Sequence, residues 1–250
     1  MNDLHKAFHK YFEVVVADTP ELLQEVFRIR FQVLCVEQRL PGFDISHYPD
    51  GLESDGYDRH SCHILLRHRA TGNFMGTVRL IMFDPLNPEK PFPIELHTQF
   101  DHELLDINKL SRRHTAEISR FVILEKYVRR KTDRGNHKSM EDSKKVVTER
   151  RERRNFPNLG LSFVVGIVRL STQHDIRNWM SVMDPALNRL LSYFGADLNP
   201  VGPLIDYHGL RRPYFKKITD VLEKMHDRHH DAWEVATDYG KYYYSGEKQS

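Results

Sequence analysis

The sequence predicts a mixed α/β fold in a single domain, with a central sheet and helices inserted between its strands. Two observations lead to this expectation. Strand-like apolar runs alternate with segments of helical periodicity, and the 250 residues show no internal repeat. A chain of this length can bury one large core. We therefore expect one domain over residues 1–250.

The first strand and the first long helix are predicted near the N-terminus. Residues 12–17 are mostly apolar and include three successive valines, which is typical of a strand. Asp18 and Glu21 have the spacing of a capping box, so we expect a helix from there to about Cys35. Arg30 lies on the apolar stripe of this helix, where a charge is costly unless it is paired.

The middle of the chain predicts a hairpin followed by a central strand. Residues 40–60 hold prolines, glycines and acids and therefore predict a loop. Residues 61–69 and 74–82 predict two strands joined by the turn at 70–73. Residues 116–127 predict the central strand.

Alternation along the central strand leads to a specific structural prediction. Glu117 and Phe121 would share one face of a regular strand, and Arg120 would lie on the other. If Glu117 and Arg120 serve the same cleft, the strand needs a β-bulge near Ser119.

The C-terminal half continues the alternation of helices and strands. We expect, in order, a helix at 159–178, a strand at 179–184, a helix at 185–195, a strand and loop at 199–215, and a final helix at 218–238.

A basic segment interrupts this pattern. Residues 129–154 contain 11 Lys or Arg and 5 Asp or Glu, a net charge of +6, with almost no large apolar side chains. We predict an exposed, mobile insertion at 129–158. A disordered loop is the default interpretation, and a dock for an acidic carrier protein or a nucleic-acid patch are the alternatives.

Composition excludes several classes of protein. The net charge of +2 gives no overall bias towards nucleic acid or membranes, and no apolar run is long enough to span a bilayer. The two cysteines make neither a disulfide framework nor a zinc site. The first residues lack the pattern of a signal peptide, so we expect a cytoplasmic protein.

Charged side chains at core-like positions are the strongest functional signal. Together they predict one partly buried ionic cleft, which suits a small charged substrate. The carboxylates are Glu53, Asp55, Asp58 and Glu117, and the guanidiniums are Arg30, Arg79 and Arg120.

These residues carry a family resemblance. The strings are RIR at 28–30, E.D..D at 53–58, GTVRL at 76–80, E.SRF at 117–121, MDPALNRLL..FG at 183–195 and GP.I.YHGLRRPYF at 202–215. They resemble the autoinducer (acyl-homoserine lactone) synthases and the long-chain N-acyl amino acid synthases. The resemblance is closest to the acyltransferases associated with the PEP-CTERM/exosortase system.

The resemblance implies the GNAT acyltransferase fold, in which a central sheet opens into a V that holds the pantetheine arm of an acyl thioester. It places the two arms of the V at strands 117–124 and 179–184. It implies an acceptor site lined by the ionic network, namely Arg30, Glu53, Asp55, Asp58, Arg79 and Arg120. Glu117 would then act as the base that deprotonates an attacking amine, with the backbone amides of Phe121 and Val122 holding the oxyanion. No metal is required.

Differences from the family patterns narrow the expected substrates. Leu34 and Leu40 replace the Phe and Trp that help autoinducer synthases bind S-adenosylmethionine, which favours an amino acid acceptor. The residues after the central strand lack the glycine-rich loop that cradles the CoA pyrophosphate, which favours acyl carrier protein as donor. The alternatives are a homoserine lactone synthase, a CoA-dependent N-acetyltransferase, and a non-enzymatic module that binds nucleic acid.

The remaining candidates have simpler explanations. Phe163, Met180 and Met183 are candidates for an acyl-chain pocket, although such side chains are more often core. Cys35 is more typical of a small buried filler than of a nucleophile. A metal site is disfavoured for the histidines and cysteine at 60–63, and a solvated helix face is favoured for His226, His229 and His230.

Overall fold

An eight-stranded sheet forms the centre of the fold in the computed structural model, which describes residues 2–128 and 159–243. The predicted insertion at 129–158 thus lies outside the described residues. The strands are β1 (Phe12–Val16), β2 (Ser61–His68), β3 (Phe74–Ile81), β4 (Thr115–Ile123), β5 (Asn178–Met183), β6 (Asn199–Pro200), β7 (Ile205–Asp206) and β8 (Leu210–Lys217). Their order is β1-β2-β3-β4-β5-β8-β6, with β7 beside β8. Only the β4–β5 pair is parallel within this described sheet.

Helices cover both faces of the sheet. The described α-helices are α1 (Asp3–Tyr11), α2 (Pro20–Phe31), α3 (Pro93–His97), α4 (Glu125–Val128), α5 (Leu159–Gln173), α6 (Pro185–Ser192), α7 (Ile218–Arg228) and α8 (His230–Thr237). A π-helical turn, Gln32–Glu37, extends α2. The apolar helix α5 packs on one face against β1, β2 and β3, whereas α2 and α3 lie on the other face.

Most of the predicted helices and strands are present, and the structure differs from the prediction mainly in where they begin and end. Thr19 caps α2, because its hydroxyl accepts the Leu22 N–H at 3.3 Å, so the capping box predicted at Asp18 is wrong. Pro20 fixes this choice, since proline favours the first helical position. The predicted helix at 159–178 is too long, because α5 ends at Gln173 and β5 already begins at Asn178.

Two further differences lie near the chain ends. Residues 3–11 form α1, a helix that the sequence pattern did not single out. The final helix is broken in two at His229, whose backbone (φ −141°, ψ 51°) is not helical.

The central strand carries the predicted β-bulge. Arg79 pairs with Ser119 and Thr77 pairs with Val122, so β4 has one more residue than β3 between these two pairs. Arg120 occupies the bulge with a left-handed φ of 51°. Gly76 allows the strands to approach there, because a Cβ atom at this position would lie 2.3 Å from the Val122 carbonyl oxygen.

The bulge decides which side chains face the cleft. Glu117 and Ser119 point to the face that carries Arg79, and the extra residue brings Arg120 to the same face. Phe121 consequently turns to the opposite face, where its ring lies 4.9 Å from that of Phe163. The expectation that Glu117 and Phe121 share a face held only for a regular strand.

Candidate functional site

The cleft opens where two neighbouring strands separate. β4 and β5 pair only from Thr115 with Asn178 to Glu117 with Met180, and beyond this point they diverge. The Ser181 hydroxyl bridges the opening by donating to the Ile118 carbonyl oxygen at 2.8 Å. The resulting cleft has a volume of about 620 Å³ and is lined by residues 117–122 of β4 and by 181–184 at the end of β5.

An ionic network forms one wall of the cleft, and all six predicted residues belong to it. Arg30 pairs with Glu53 and, at 2.7 Å, with Asp58. Arg79 lies 2.7 Å from both Asp55 and Asp58. Arg120 pairs with Glu53 at 2.9 Å and with Asp55 at 3.1 Å. Arg79 also donates a hydrogen bond to the Ser119 hydroxyl at 2.9 Å.

The network has an inner and an outer part. The side chains of Arg30 and Glu53 are fully buried, and neither of them nor Asp58 lines the cleft. Asp55 and Arg120 are the most exposed members, at 29% and 18%, and both line the cleft. The inner residues can therefore act on a substrate only by holding the outer ones in place.

Charges within the network balance. Three guanidiniums face three carboxylates, and the guanidiniums keep those carboxylates ionised. Burial alone would raise the pKa of Glu53 and of Asp58, but the adjacent arginines lower both. The network thus offers little net charge to a substrate. What it provides is a fixed position for its outer side chains.

Glu117 stands apart from the network although it lies beside it. Its side chain is 3% exposed, and one carboxylate oxygen accepts the Ile94 N–H at 2.8 Å. Burial raises its pKa to about 7, against the opposing effects of the Ile94 N–H and the charges of Arg79 and Arg120. A carboxyl of this kind exchanges a proton near neutral pH, at the point where the V begins to open.

A strap between β7 and β8, residues 207–209, lines another part of the cleft. Tyr207 stacks on His97, with ring centres 4.5 Å apart, and His208 lies against Phe43 at 4.7 Å. Arg211 also lines the cleft. Sequence reasoning assigned no role to these residues, because only the folded chain brings the strap to the cleft. The sequence signal that could have indicated a turn here is the His-Gly pair before a strand, since His208 and Gly209 both have positive φ.

The predicted acyl-chain residues separate into different surroundings. Met183 lines the cleft and also a small apolar cavity of about 30 Å³ behind it. Phe163 is core and packs on Phe121, which lines both spaces. Met180 does not reach this cavity, because it pairs with Glu117 and packs with Ile81 on the other face of the sheet.

The sulfur and imidazole groups at 60–63 do not converge. Cys62 points to the α5 face and lies 3.5 Å from His174, whereas His63 is buried beside Asp58 on the network face. Burial lowers the pKa of His63 to about 4. Cys35 is buried in the apolar cluster of α2, and burial raises the pKa of its thiol, as expected for a filler.

Comparison with known proteins agrees with this geometry. Residues 29–136 match the family model described as an acetyltransferase (GNAT) domain, and no curated protein sequence shows significant similarity to the chain. The AHL synthase LasI has 19% identity and a TM-score of 0.50, covering 83% of this chain and 90% of its own. The CoA-dependent acyl-homoserine lactone synthase BjaI, solved with SAM and isopentyl-CoA, has 16% identity and a TM-score of 0.55, covering 91% and 98%.

A third solved structure represents another acceptor class. FeeM, an N-acyl amino acid synthase from uncultured soil microbes, has 10% identity and a TM-score of 0.50, with coverage of 88% of this chain and 97% of its own. At these identities the likeness is one of fold. The eight-stranded mixed sheet flanked by helices is accordingly the GNAT-type fold of these synthases, and both the matched domain and these neighbours are acyltransferases.

Proposed function

We propose that this protein is an N-acyltransferase that moves a fatty acyl group from acyl carrier protein to the amino group of an amino acid or a similar small amine. One observation carries the proposal. Glu117, whose pKa is raised to about 7 by burial, lines the cleft at the point where β4 and β5 separate. A base is needed at that point if an amine attacks a thioester lying in the V.

The reaction breaks the thioester C–S bond and forms an amide C–N bond. The Glu117 carboxylate accepts the proton that the attacking amine loses. Backbone N–H groups of Phe121 and Val122, beside the bulge, would donate to the oxyanion of the tetrahedral intermediate. The intermediate collapses with loss of the thiolate, and the proton held by Glu117 neutralises the sulfur.

The acceptor is proposed to be an amino acid because of Arg211. The network is neutral overall, so a substrate carboxylate needs another cation. Arg211 lines the cleft, and within the described residues its guanidinium makes one hydrogen bond, to the His208 carbonyl oxygen at 3.4 Å. Burial lowers its pKa, with Asp184 opposing, which is the direction for a desolvated cation without a close carboxylate. A substrate carboxylate would supply that partner.

The acyl chain is proposed to enter the apolar cavity behind Met183. Ile118, Phe121, Ser181, Met183 and Leu187 line both the cleft and this cavity, so the two spaces share a wall. The cavity of about 30 Å³ is lined mainly by apolar side chains of α5, β5 and α6. A long chain would have to displace some of these side chains.

Acyl carrier protein is the proposed donor, and CoA is the second candidate. The sequence between 127 and 138 lacks a glycine-rich phosphate loop, and the basic insertion would suit an acidic carrier. BjaI, which shares the fold, was solved with isopentyl-CoA, and this keeps CoA as the alternative donor. The cytoplasm is the proposed compartment. The association with the exosortase system remains a prediction.

The test is thiol release from long-chain acyl carrier protein and from the matching acyl-CoA, with mass spectrometry of the products. A pool of amino acids and, separately, S-adenosylmethionine would be offered as acceptors. An N-acyl amino acid formed faster from the carrier supports the proposal. A lactone product would indicate a homoserine lactone synthase. A faster reaction with the CoA thioester would make CoA the donor in place of acyl carrier protein. No thiol release from either donor would overturn the proposal.

A further inference from the structure

Two histidines and an aspartate converge far from the cleft, where the two ends of the described chain meet. His5 and His9 lie one turn apart on α1 and therefore on the same face of that helix. Asp238 caps the C-terminal end of α8. None of the three lines the cleft.

Two of the distances between their ligand atoms match those of a metal site. The Nε2 atoms of His5 and His9 are 3.1 Å apart, and the His5 Nε2 lies 3.2 Å from the Asp238 Oδ1. One ligand atom from each residue lies within 4.8 Å of the others. Around a tetrahedral zinc ion with bonds of about 2.0 Å, neighbouring ligand atoms are about 3.3 Å apart.

Backbone geometry holds the three groups in place. The Asn2 side chain caps α1 by accepting the His5 N–H at 2.6 Å, and the Asn2 N–H donates to the Tyr239 hydroxyl at 3.0 Å. Asp238 adopts a left-handed φ of 52°, and its N–H closes α8 by donating to the Glu234 carbonyl oxygen. The ligands are thus positioned by helix caps as well as by their own packing.

Hydrogen bonds alone do not provide a donor for every lone pair in this cluster. Three electron-pair donors meet, namely two imidazole nitrogens and one carboxylate oxygen, and His5 is 5% exposed. A single N–H on His5 would have to serve both neighbours. A cation at the centre would be shared by all three lone pairs, and water could complete its coordination because Asp238 is 30% exposed.

The donor atoms indicate the class of metal. Mg²⁺ and Ca²⁺ prefer all-oxygen sites, whereas two of the three groups here are imidazole rings. Imidazole nitrogens suit borderline transition metals, and a pair of histidines four residues apart on a helix is a common arrangement for zinc.

We propose that His5, His9 and Asp238 bind a divalent transition metal ion of the zinc class, which links α1 to the segment after α8. The ion would join two segments separated by 233 positions in the sequence. It would therefore stabilise the packing of the chain ends without taking part in acyl transfer.

The test uses full-length, tag-free protein stripped with EDTA and then titrated with Zn²⁺, with Mg²⁺ in parallel. We expect one tightly bound equivalent of zinc, a rise in Tm with zinc and none with Mg²⁺. His9→Gln and Asp238→Asn should each weaken zinc binding by on the order of tenfold or more, because each removes one of three ligands. Asparagine tolerates the left-handed conformation of Asp238, so this variant should keep its Tm in EDTA.

The control is the pair His226 and His230, whose rings lie 4.9 Å apart and half exposed on the nearby surface. Replacing both with glutamine should leave the tight site unchanged. The proposal is overturned if wild-type protein binds no zinc, if this control removes the binding, or if both His9→Gln and Asp238→Asn bind like wild type. Should one of these two variants be unstable in EDTA, the other decides.

Discussion

The backbone N–H of Ile94 donates to the carboxylate of Glu117 across 2.8 Å, and among the described residues no arginine forms an ion pair with that carboxylate. This is notable because Arg79 and Arg120 lie close enough to influence it. The fold thus separates one buried carboxyl from a neighbouring network of fully paired ones. The paired carboxylates stay ionised, whereas the separate one is able to exchange a proton near pH 7.

The first prediction concerns the pH dependence of catalysis. Because Glu117 must be ionised to accept a proton, kcat/KM should fall as the pH drops below about 7, the pKa to which burial raises this group. Glu117→Gln should lower kcat/KM by about 10²- to 10⁴-fold and should remove this step from the profile. Steady-state rates from pH 5.5 to 9 provide the measurement. An unchanged profile in the variant would exclude Glu117 as the base.

The second prediction concerns stability at the same position. A folded-state pKa above the ordinary value means that the folded protein binds a proton that the unfolded chain releases between about pH 4.5 and 7. Stability therefore falls as the pH rises through this window. Glutamine keeps an oxygen for the Ile94 N–H but cannot ionise.

Glu117→Gln should accordingly be more stable than wild type at pH 8, by up to roughly 3 kcal/mol, and similar to it at pH 4.5. Denaturant melts at the two pH values measure this difference. A variant that is less stable than wild type at both would show that the carboxylate has a structural role instead.

The third prediction separates the inner part of the network from the outer part. Arg30→Met leaves Glu53 and Asp58 short of a buried partner and should cost about 3–5 kcal/mol of unfolding free energy. Arg120→Gly should cost less, since glycine accepts the left-handed φ of 51° and Glu53 keeps Arg30. The activity of the folded Arg120→Gly protein should nevertheless fall, because its guanidinium faces the cleft.

Urea titrations and rates at saturating donor measure the two effects. Equal stability losses would mean that burial does not divide the network as described. Full activity in Arg120→Gly would remove Arg120 from the acceptor site.

Sequence reasoning succeeded where a local conflict had one physical solution. Glu117 and Arg120 would lie on opposite faces of a regular strand, so their side chains could meet only through a bulge. The bulge is present at Arg120. Sequence reasoning failed where long-range packing decides. Met180 was named together with Phe163 and Met183 as a candidate for an acyl-chain pocket, but it pairs with Glu117 and packs with Ile81, on the face of the sheet away from the small apolar cavity.

The strap is a second example of a long-range contact that the sequence did not predict. Tyr207 and His97 are 110 positions apart, and nothing local in either segment indicates that their rings stack. The N-cap of α2 could have been predicted more closely, because Pro20 marks Thr19 as the residue before the first helical position.

The fourth prediction concerns acyl-chain length. Leu187 lies on α6 and lines both the cleft and the small apolar cavity. Leu187→Trp should fill the shared wall and shift the preference towards shorter acyl chains, because overpacking there leaves less space for the end of a long one. Leu190→Trp is the matched control, since Leu190 is on the same helix but 42% exposed. Competition between C8 and C16 donors gives the readout, and an equal shift in both variants would contradict this location for the chain.

The fifth prediction concerns recognition of the acceptor. If Arg211 binds the carboxylate of an amino acid, Arg211→Gln should raise the acceptor KM by roughly tenfold or more, as expected for the loss of a charge-assisted pair of about 1.5–3 kcal/mol. The KM for the acyl donor should change little. Arg189→Gln, on the exposed face of α6, serves as the control for a simple change in net charge.

A comparison of two acceptors makes this test specific. Wild-type enzyme should prefer an amino acid to its carboxamide, which keeps the amine but lacks the anionic charge. Arg211→Gln should lose most of that preference, because the two acceptors then differ little at the substituted position. If the variant keeps the preference while its KM rises for both acceptors, Arg211 supports the strap rather than the substrate, and the carboxylate is recognised elsewhere in the cleft.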